Sequence, residues 1–265
     1  MRVYIEGVGL CGPGLNDWNA GRPVLSGSAA YQSAPIAIAP STLLPATERR
    51  RVGVPVQLAL AVGQEAFASS GLDASATPTV FASSSGDCDN VHQVCEALAL
   101  PEREVSPTRF HNSVHNAAAG YWSIATGCRK ASTSLCAYDA SFAAGLLEMA
   151  AQAVTGEGAV ALIAYDHPYP SPLGEVRQVS AAFGVALVLA CRAGPRTHAT
   201  LDIEYLAQES EPSRMDDAGL ESLRAGVPAA RSLPLLAALA RKEETSLAFQ
   251  YGDRACLQVK VAPCN

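Results

Sequence analysis

The 265-residue sequence is poor in charged and aromatic side chains, which make up 17% and 6% of its residues. Its formal net charge is −6 at pH 7. Binding to the phosphate backbone of nucleic acids requires an excess of clustered cations, so we predict that the chain does not bind nucleic acid. An acidic partner would therefore have to be bound by a local basic patch.

Long hydrophobic runs are also missing. No segment approaches the roughly 20 apolar residues needed to span a bilayer. The N-terminus, MRVYIEGVG, is typical of a strand and lacks the basic start and apolar centre of a signal peptide. We therefore expect no membrane span and a cytoplasmic location. The hydrophobic share of 49% is enough for a substantial core.

The eight cysteines form no Cys-x-x-Cys pair, the spacing that is typical of zinc and redox sites. Several lie within apolar segments such as VALVLAC, which predicts buried, reduced thiols rather than a disulfide framework. These cysteines are Cys11, Cys88, Cys95, Cys128, Cys136, Cys191, Cys256 and Cys264.

Two other patterns suggest ligand sites, and neither holds. Residues 7–12 fit G-x-G-x-x-G, but a loop follows and no acidic residue lies between Asp17 and Glu48 to bind a ribose. His111 and His115 are spaced to share a helix face, yet no third metal ligand is nearby. We therefore expect no metal and no cofactor.

Residue patterns predict an α/β layered fold with a mixed sheet covered by helices on both faces. Alternation and turn residues predict strands at 2–9, 79–83, 159–165, 184–190 and 201–205 and a hairpin turning near 252–253. Helical spacing predicts helices at 54–70, 90–98, 114–126 and 233–239. Segment 16–45 is rich in Gly, Ser, Pro and Ala, so we predict an ordered loop there.

Residues 131–155, ASTSLCAYDASFAAGLLEMAAQAVT, contain the strongest pattern. They predict a short strand, a tight turn and a long helix that is apolar on nearly all sides. A helix of this kind is buried, so its first turn faces a prepared site.

Six segments, in the correct order and spacing, resemble the N-terminal half of a β-ketoacyl synthase. They are YIEGVG with Trp18 and Gly21 downstream, QLALAVGQEAFASSGLD, TVFASSSGD, FHNSVHNAAAGYWSIA, residues 132–151, and FGVALVLAC. The chain is similar to a short ketoacyl-synthase-like family of aryl polyene-type pathways. The resemblance implies a single thiolase-like domain over 1–265, with a ketosynthase core at 1–192 and a shortened C-terminal extension at 193–265.

The resemblance implies a nucleophilic cysteine at the strand-to-helix turn, and two alignments place that position differently. Counting from Gly127 places Cys136 there, whereas counting back along the helix from Gly156 places Asp139 there. The second alignment overlays DASFAAG on the family's C-x-S pattern, and we favour it. A thiolate at a helix N-terminus is a competent acyl acceptor. A carboxylate would give only a labile anhydride, so Asp139 would be a helix cap and Cys136 a small buried residue.

The family also uses two histidines, or a histidine and an asparagine, from its C-terminal half. Beyond residue 190 this sequence has only His198 and no HGTGT-like stretch. We therefore expect no catalytic residues, and condensation by this chain alone is not expected.

The resemblance further implies partners. We expect pairing with a full-length β-ketoacyl synthase as a heterodimer, or with a second copy as a homodimer, and binding of an acyl carrier protein. The predicted partner interface is Asn112, His115, Asn116, Gly120 and Tyr121. The predicted tunnel lining is Tyr138, Phe142 and Leu146. The predicted carrier-docking residues are Arg49, Arg50, Arg51, Arg129 and Lys130.

The sequence leaves three hypotheses of function. The first is a non-catalytic subunit similar to the chain-length factors of type II polyketide ketosynthases. The second is a self-sufficient acyltransferase or thioesterase that uses Cys136 with His111 or His115. The third is a homodimeric module that binds carrier protein.

Overall fold

The computed structural model describes residues 1–38, 41–156 and 158–264. Within these residues eight strands form one mixed sheet in the order β3-β2-β4-β5-β1-β6-β8-β7. The strands are β1 (Arg2–Cys11), β2 (Thr79–Ala82), β3 (Ser132–Leu135), β4 (Ala159–Asp166), β5 (Phe183–Ala190), β6 (Ala199–Leu206), β7 (Thr245–Gln250) and β8 (Cys256–Pro263).

The sheet changes from parallel to antiparallel along its width. Strand β2 pairs in parallel with both β3 and β4. All the other pairs are antiparallel, including β4 with β5 and β1 with β6. Because β2, β3 and β4 point the same way, their carboxyl ends lie along one edge of the sheet, where ligand sites of α/β proteins form.

Helices cover the sheet on both faces. They are α1 (Trp18–Leu25), α2 (Ala46–Arg49), α3 (Val54–Ser70), α4 (Cys88–Ala99), α5 (Pro107–Asn112), α6 (Ala117–Thr126), α7 (Ser141–Thr155), α8 (Leu173–Val176), α9 (Ala218–Gly226) and α10 (Leu233–Arg241). Short 3₁₀ turns occur at Ala74–Ala76, Tyr138–Ala140 and Ala229–Ser232.

Strand β4 shows how the two faces are filled. Val160, Leu162 and Ala164 join the core that contains α7 and α10. The alternate residues of the same strand, including Ile163, join the second core, which contains α3 and Trp122 of α6. A strand that is apolar at every position is thus buried on both sides, as its sequence predicts.

Two glycines of β1 serve packing. A Cβ atom on Gly7 would lie 2.1 Å from the carbonyl oxygen of Ala66, and one on Gly9 would lie 2.0 Å from that of Val62. Helix α3 therefore lies directly on the backbone of β1. The G-x-G pattern is explained by this close helix–strand contact.

Most of the predicted elements are confirmed, with shifted ends. The strands, the hairpin of β7 and β8, and helices α3, α4 and α10 are present. The predicted helix 114–126 is in part wrong, because α6 begins only at Ala117 and α5 precedes it. The predicted loop at 16–45 contains α1, whose first turn is capped by Asp17 accepting from the Ala20 amide at 2.8 Å.

The prediction of uniformly buried thiols is wrong. Cys11, Cys128 and Cys256 are buried, but Cys95 and Cys136 are exposed. All eight cysteines are free, as expected.

Candidate functional site

The candidate site lies at the carboxyl ends of β2, β3 and β4. After β3 the chain makes the turn Tyr138–Ala140 and enters α7. Tyr138 has φ of 54°, in the left-handed region that non-glycine residues seldom occupy. Asp139 lies in this turn, and Cys136, the alternative nucleophile position, lies directly after β3.

Asp139 is held by two arginines from other parts of the chain. Arg177, which follows α8, donates through Nη2 to Oδ1 of Asp139. The Nη2 atom of Arg231, in the turn before α10, lies 3.1 Å from Oδ2. Each carboxylate oxygen thus has its own guanidinium. The predicted cap is absent, since the first helical residues receive no side-chain hydrogen bond from Asp139.

The surroundings of the two arginines differ. Burial lowers the pKa of Arg177, but the hydrogen bond and charge of Asp139, together with Tyr169 and Tyr138, outweigh burial and raise that pKa overall. Burial lowers the pKa of Arg231, and nearby Arg224 and Arg177 lower it further, against the effect of Asp139. Both guanidinium groups remain charged at neutral pH, because arginine starts from a very high pKa.

The space at this site is nearly filled. The cavity beside Asp139 and Arg231 measures about 10 Å³. A single water needs about 10–15 Å³ measured in this way, so the cavity holds at most one water. The ring of Phe249 bounds it and packs edge-on against Phe142 at 5.6 Å between centroids.

The three predicted tunnel residues lie in different surroundings. Phe142 and Leu146 are fully buried in the core beneath α7. Tyr138 is 60% exposed, and the guanidinium carbon of Arg177 lies 3.8 Å from its ring centroid, a cation–π contact. Their role in lining a tunnel stays a prediction.

Cys136 is exposed, so its predicted burial is wrong. Its Sγ donates to the carbonyl oxygen of Ser84 at 3.2 Å. His115 donates from Nε2 to the carbonyl oxygen of Ser83 at 3.1 Å, and His111 packs edge-on against Tyr121. Among the described hydrogen bonds, neither histidine pairs with Cys136.

A buried carboxylate, Asp166, lies at the end of β4 next to the site. Its Oδ1 accepts from the amide and hydroxyl of Ser84 at 2.8 and 2.6 Å, and its Oδ2 accepts from the Ala229 amide at 2.8 Å. Burial raises the pKa of Asp166 to about 6 although these hydrogen bonds lower it. Asp166 therefore joins the turn after β2 to the segment before α10.

The predicted partner interface is partly inside the chain. Tyr121 is buried and donates from its hydroxyl to Oδ1 of Asn112 at 3.0 Å. Asn112, also buried, donates through Nδ2 to the Arg51 carbonyl oxygen at 2.7 Å. Asn116 and Gly120 are exposed and His115 is half-buried. Asn112 and Tyr121 are thus hydrogen-bonded inside the chain, below the surface that carries Asn116 and Gly120.

An apolar groove of about 580 Å³ runs along this surface between α5 and α6. Phe110 is 67% exposed, and Val114 and Ile124 are about half exposed. Gly120 lies in the middle of α6, and a Cβ atom there would meet nothing within 4 Å. We call Phe110, Val114, Gly120 and Ile124 the α6 face.

The predicted carrier-docking residues lie at two places. In the first, Arg51 pairs with Glu48 at 3.1 Å, while Arg49 and Arg50 donate to the carbonyl oxygens of Leu44 and Ala46. In the second, Arg129 and Lys130 are exposed between α6 and β3. Their docking role stays a prediction.

The described residues contain no group of three His, Cys, Asp or Glu side chains that could hold a metal ion. None of the described helices is long and apolar enough to cross a membrane. Sequence reasoning singled out neither Arg177 nor Arg231. No sequence pattern links the two arginines to Asp139, because they lie in unrelated segments.

The sequence profile described as beta-ketoacyl synthase, N-terminal domain, matches residues 24–252. The chain belongs to this family. The matched range runs well beyond residue 190, where the visible resemblance of the sequence fades. The family assignment confirms the resemblance carried by the six segments.

Solved ketosynthase complexes share the fold. One is the ketosynthase ApeO in complex with its chain length factor ApeC from Xenorhabdus doucetiae, with 21% identity, TM-score 0.75, and 98% of this chain and 99% of that chain covered. Another is the ishigamide ketosynthase/chain length factor, with 14% identity, TM-score 0.71, and coverage of 100% and 99%. At these identities the likeness establishes the fold, and the chain is thiolase-like.

A third similar structure contains a type II polyketide acyl-carrier protein with its ketosynthase bound to the hexaketide, AntDE:AntF. It has 12% identity, TM-score 0.73, and coverage of 99% of each chain. No curated protein sequence matches this chain significantly.

Proposed function

We propose that this β-ketoacyl synthase family member is a non-catalytic, chain-length-factor-like subunit. It pairs with a complete, cysteine-bearing β-ketoacyl synthase in polyene, polyketide or fatty-acid-type chain elongation. The observation that carries the proposal is Asp139, held by Arg177 and Arg231 where the family's helix begins. Within this proposal residues 1–265 act as one thiolase-like domain.

The chemistry of that position argues against acyl transfer by this chain. A nucleophile attacks a thioester carbonyl with an unshared electron pair and must leave a stable acyl-enzyme. Asp139 has both oxygens engaged by guanidinium groups, and an acyl carboxylate is an anhydride that water hydrolyses. The cavity of about 10 Å³ beside it leaves no room for an acyl chain.

The α6 face supports a protein partner. Glycine within a helix costs about 1 kcal/mol relative to alanine, and no described residue lies close enough to Gly120 to require its small size. Close approach of a second backbone would explain it. Strand β3 lies at one end of the sheet, so one side of its backbone is unpaired within the described residues. Both features are typical of a surface that is covered in an assembly.

The similar structures support the class of partner. Two of them are described as a ketosynthase with its chain length factor, and one contains an acyl-carrier protein. We propose by analogy that an acidic carrier protein docks near Arg49, Arg50, Arg51, Arg129 and Lys130. We propose that any acyl tunnel lies between subunits, with Tyr138 at its wall and Phe142 and Leu146 beneath.

Co-expression with candidate full-length ketosynthases from the same genome tests the proposal. We expect a one-to-one complex in size-exclusion chromatography and chain elongation that survives Cys136→Ala. Ile124→Glu, on the α6 face, should abolish the complex, whereas Leu98→Glu, an exposed position on α4, serves as the matched control. Acyl transfer by this chain alone, lost in Cys136→Ala, would contradict the proposal.

The exposure of Cys136 favours a second candidate, a self-sufficient cysteine acyltransferase or thioesterase. One observation argues against this candidate: among the described hydrogen bonds, the Cys136 thiol donates to the Ser84 carbonyl oxygen and does not pair with a histidine. Saturable iodoacetamide labelling of Cys136 that outpaces labelling of exposed Cys95 would support this candidate. A carrier-binding module would instead bind carrier protein without any ketosynthase partner.

A further inference from the structure

We propose that Arg177 and Arg231 form a carboxylate-binding site, that Asp139 fills it from within the chain, and that the filled site holds the loop after β4 and the turn before α10 closed over α7. The inference deepens the proposed function, because it says what occupies the position of the lost nucleophile. On this proposal the Asp139 carboxylate has a structural function of its own: it neutralises the two arginines and holds their segments in place.

The two arginines bind Asp139 as they would bind a free carboxylate. Oδ1 accepts a hydrogen bond from Arg177, and Oδ2 forms an ion pair with Arg231 at 3.1 Å, so both oxygens are used by separate guanidinium groups. The Nε atoms of both arginines are buried and have no hydrogen-bond partner within the described residues. Arg177 also has a side-chain hydrogen bond with Tyr169, but among the described contacts Asp139 is the only carboxylate paired with either arginine.

Positive charge is in excess around this site. A third arginine, Arg224, borders the same cavity and is already paired with Glu221 at 2.6 Å. Glu221 also accepts from the Met215 amide at 2.9 Å, which holds it in place. Without Asp139 the other two guanidinium groups would have no counter-ion among the contacts described. Such a site should take up a small carboxylate from solution.

The three members of the ion triad belong to three segments. Asp139 precedes α7, Arg177 follows α8, and Arg231 lies in Ala229–Ser232. Arg177 also covers the ring of Tyr138, so one guanidinium fixes both turn residues. The triad thus ties the loop and the turn to the start of α7, where the remaining cavity is about 10 Å³.

The test uses the isolated full-length chain and measures thermal unfolding in sodium formate against sodium chloride of equal ionic strength. Asp139→Ala should lower the midpoint by about 5 to 10 °C. Formate, and not chloride, should restore at least half of that loss. Formate should not raise the unfolding midpoint of wild type more than chloride does, because Asp139 already fills the site. The same is expected of Asp139→Ala/Arg231→Met, because that site lacks one arginine.

Asp202→Ala is the matched control, since its carboxylate pairs with Arg2 on the open surface at 2.8 Å. Formate should not stabilise this variant specifically. If Asp139→Ala does not fold, Asp139→Ser, whose short side chain also leaves the carboxylate site open, takes its place in the same titration.

Hydrogen exchange separates local closure from a general loss of stability. In Asp139→Ala, exchange should rise at residues 173–180 and 229–232 before it rises in β4 and β5, and formate should reverse the rise. Equal stability of Asp139→Ala and wild type, or equal effects of formate and chloride on that variant, would overturn the proposal. Because no partner protein is used, failure of the ketosynthase pairing would leave this test intact.

Discussion

The start of α7 and the α6 face are two neighbouring regions built in opposite ways. At the start of α7 every large group has a partner within the chain: Asp139 has two arginines, and Phe142 packs against Phe249. On the α6 face Phe110 is 67% exposed and Gly120 meets open space. The start of α7 is thus packed within the chain, whereas the α6 face is exposed. This difference favours a partner role over an independent enzyme.

The largest effect expected from this comparison is on stability. Phe142→Ala should reduce the free energy of unfolding by about 3–5 kcal/mol, because it opens a cavity in the core. Phe110→Ala removes the same group from the exposed face and should change stability by less than about 0.5 kcal/mol. Urea unfolding of the two variants checks this. Similar losses for both would show that the α6 face is packed as tightly as the core.

The second effect concerns pH and the carboxylate beside the site. Asp166 has a pKa of about 6 in the folded chain, and an unfolded aspartate titrates near pH 4. Between these values the folded state binds the extra proton, so stability should fall as pH rises from about 4 to 6, by up to about 3 kcal/mol for this group.

The measurement is the difference between wild type and Asp166→Asn in urea unfolding at pH 4.5 and pH 7. The variant lacks the titrating carboxyl group, so the difference in free energy of unfolding between the two proteins should change between pH 4.5 and pH 7. If this difference in the free energy of unfolding is the same at pH 4.5 and pH 7, Asp166 is ionised in the folded chain at both pH values. That result would contradict the prediction.

Much of the fold could be predicted from local sequence patterns, and the site could not. Strands β4 and β5 are apolar along nearly their whole length and α3 has apolar residues at helical spacing, which predicts their burial. Gly71 ends α3 with φ of 71°. Helix α1 was missed because Gly21 and Pro23 are poor helix formers, yet packing overrides them. The exposure of Cys136 depends on how the chain turns after β3, which no pattern specifies.

The ion triad is the clearest example of what local patterns omit. Asp139 was identified from its distance to Gly156, but its two partners lie in segments with no periodicity of their own. Only the tertiary fold brings Arg177 and Arg231 to one carboxylate. Sequence reasoning could suggest Asp139 for the nucleophile position, with Cys136 as the alternative, but it could not show that two arginines hold the Asp139 carboxylate.

A third prediction addresses the glycine of the α6 face. Gly120→Ala should stabilise the isolated chain by up to about 1 kcal/mol, because the helix gains a better former and no clash results. The same change should weaken pairing with the ketosynthase partner if the two backbones approach closely there. Thermal unfolding and a binding titration measure the two effects. An unchanged affinity for both Gly120→Ala and Gly120→Leu would place the interface elsewhere.

The smallest effect is expected at the exposed cysteine. Cys136→Ala should change elongation by the complex by less than about twofold, because the thiol only donates a weak hydrogen bond to Ser84. Cys95→Ala, a second exposed thiol, is the control. A loss of elongation in Cys136→Ala but not in Cys95→Ala would show that the Cys136 thiol takes part in the reaction, and would contradict a non-catalytic role.

The most direct test of the central claim is intact-protein mass spectrometry of the complex after incubation with an acyl-loaded carrier protein. We predict that the ketosynthase partner gains the mass of the acyl group and that this chain does not. An acyl adduct on this chain, abolished by Cys136→Ala or Asp139→Asn, would show that it is itself an acyl acceptor and would contradict the account.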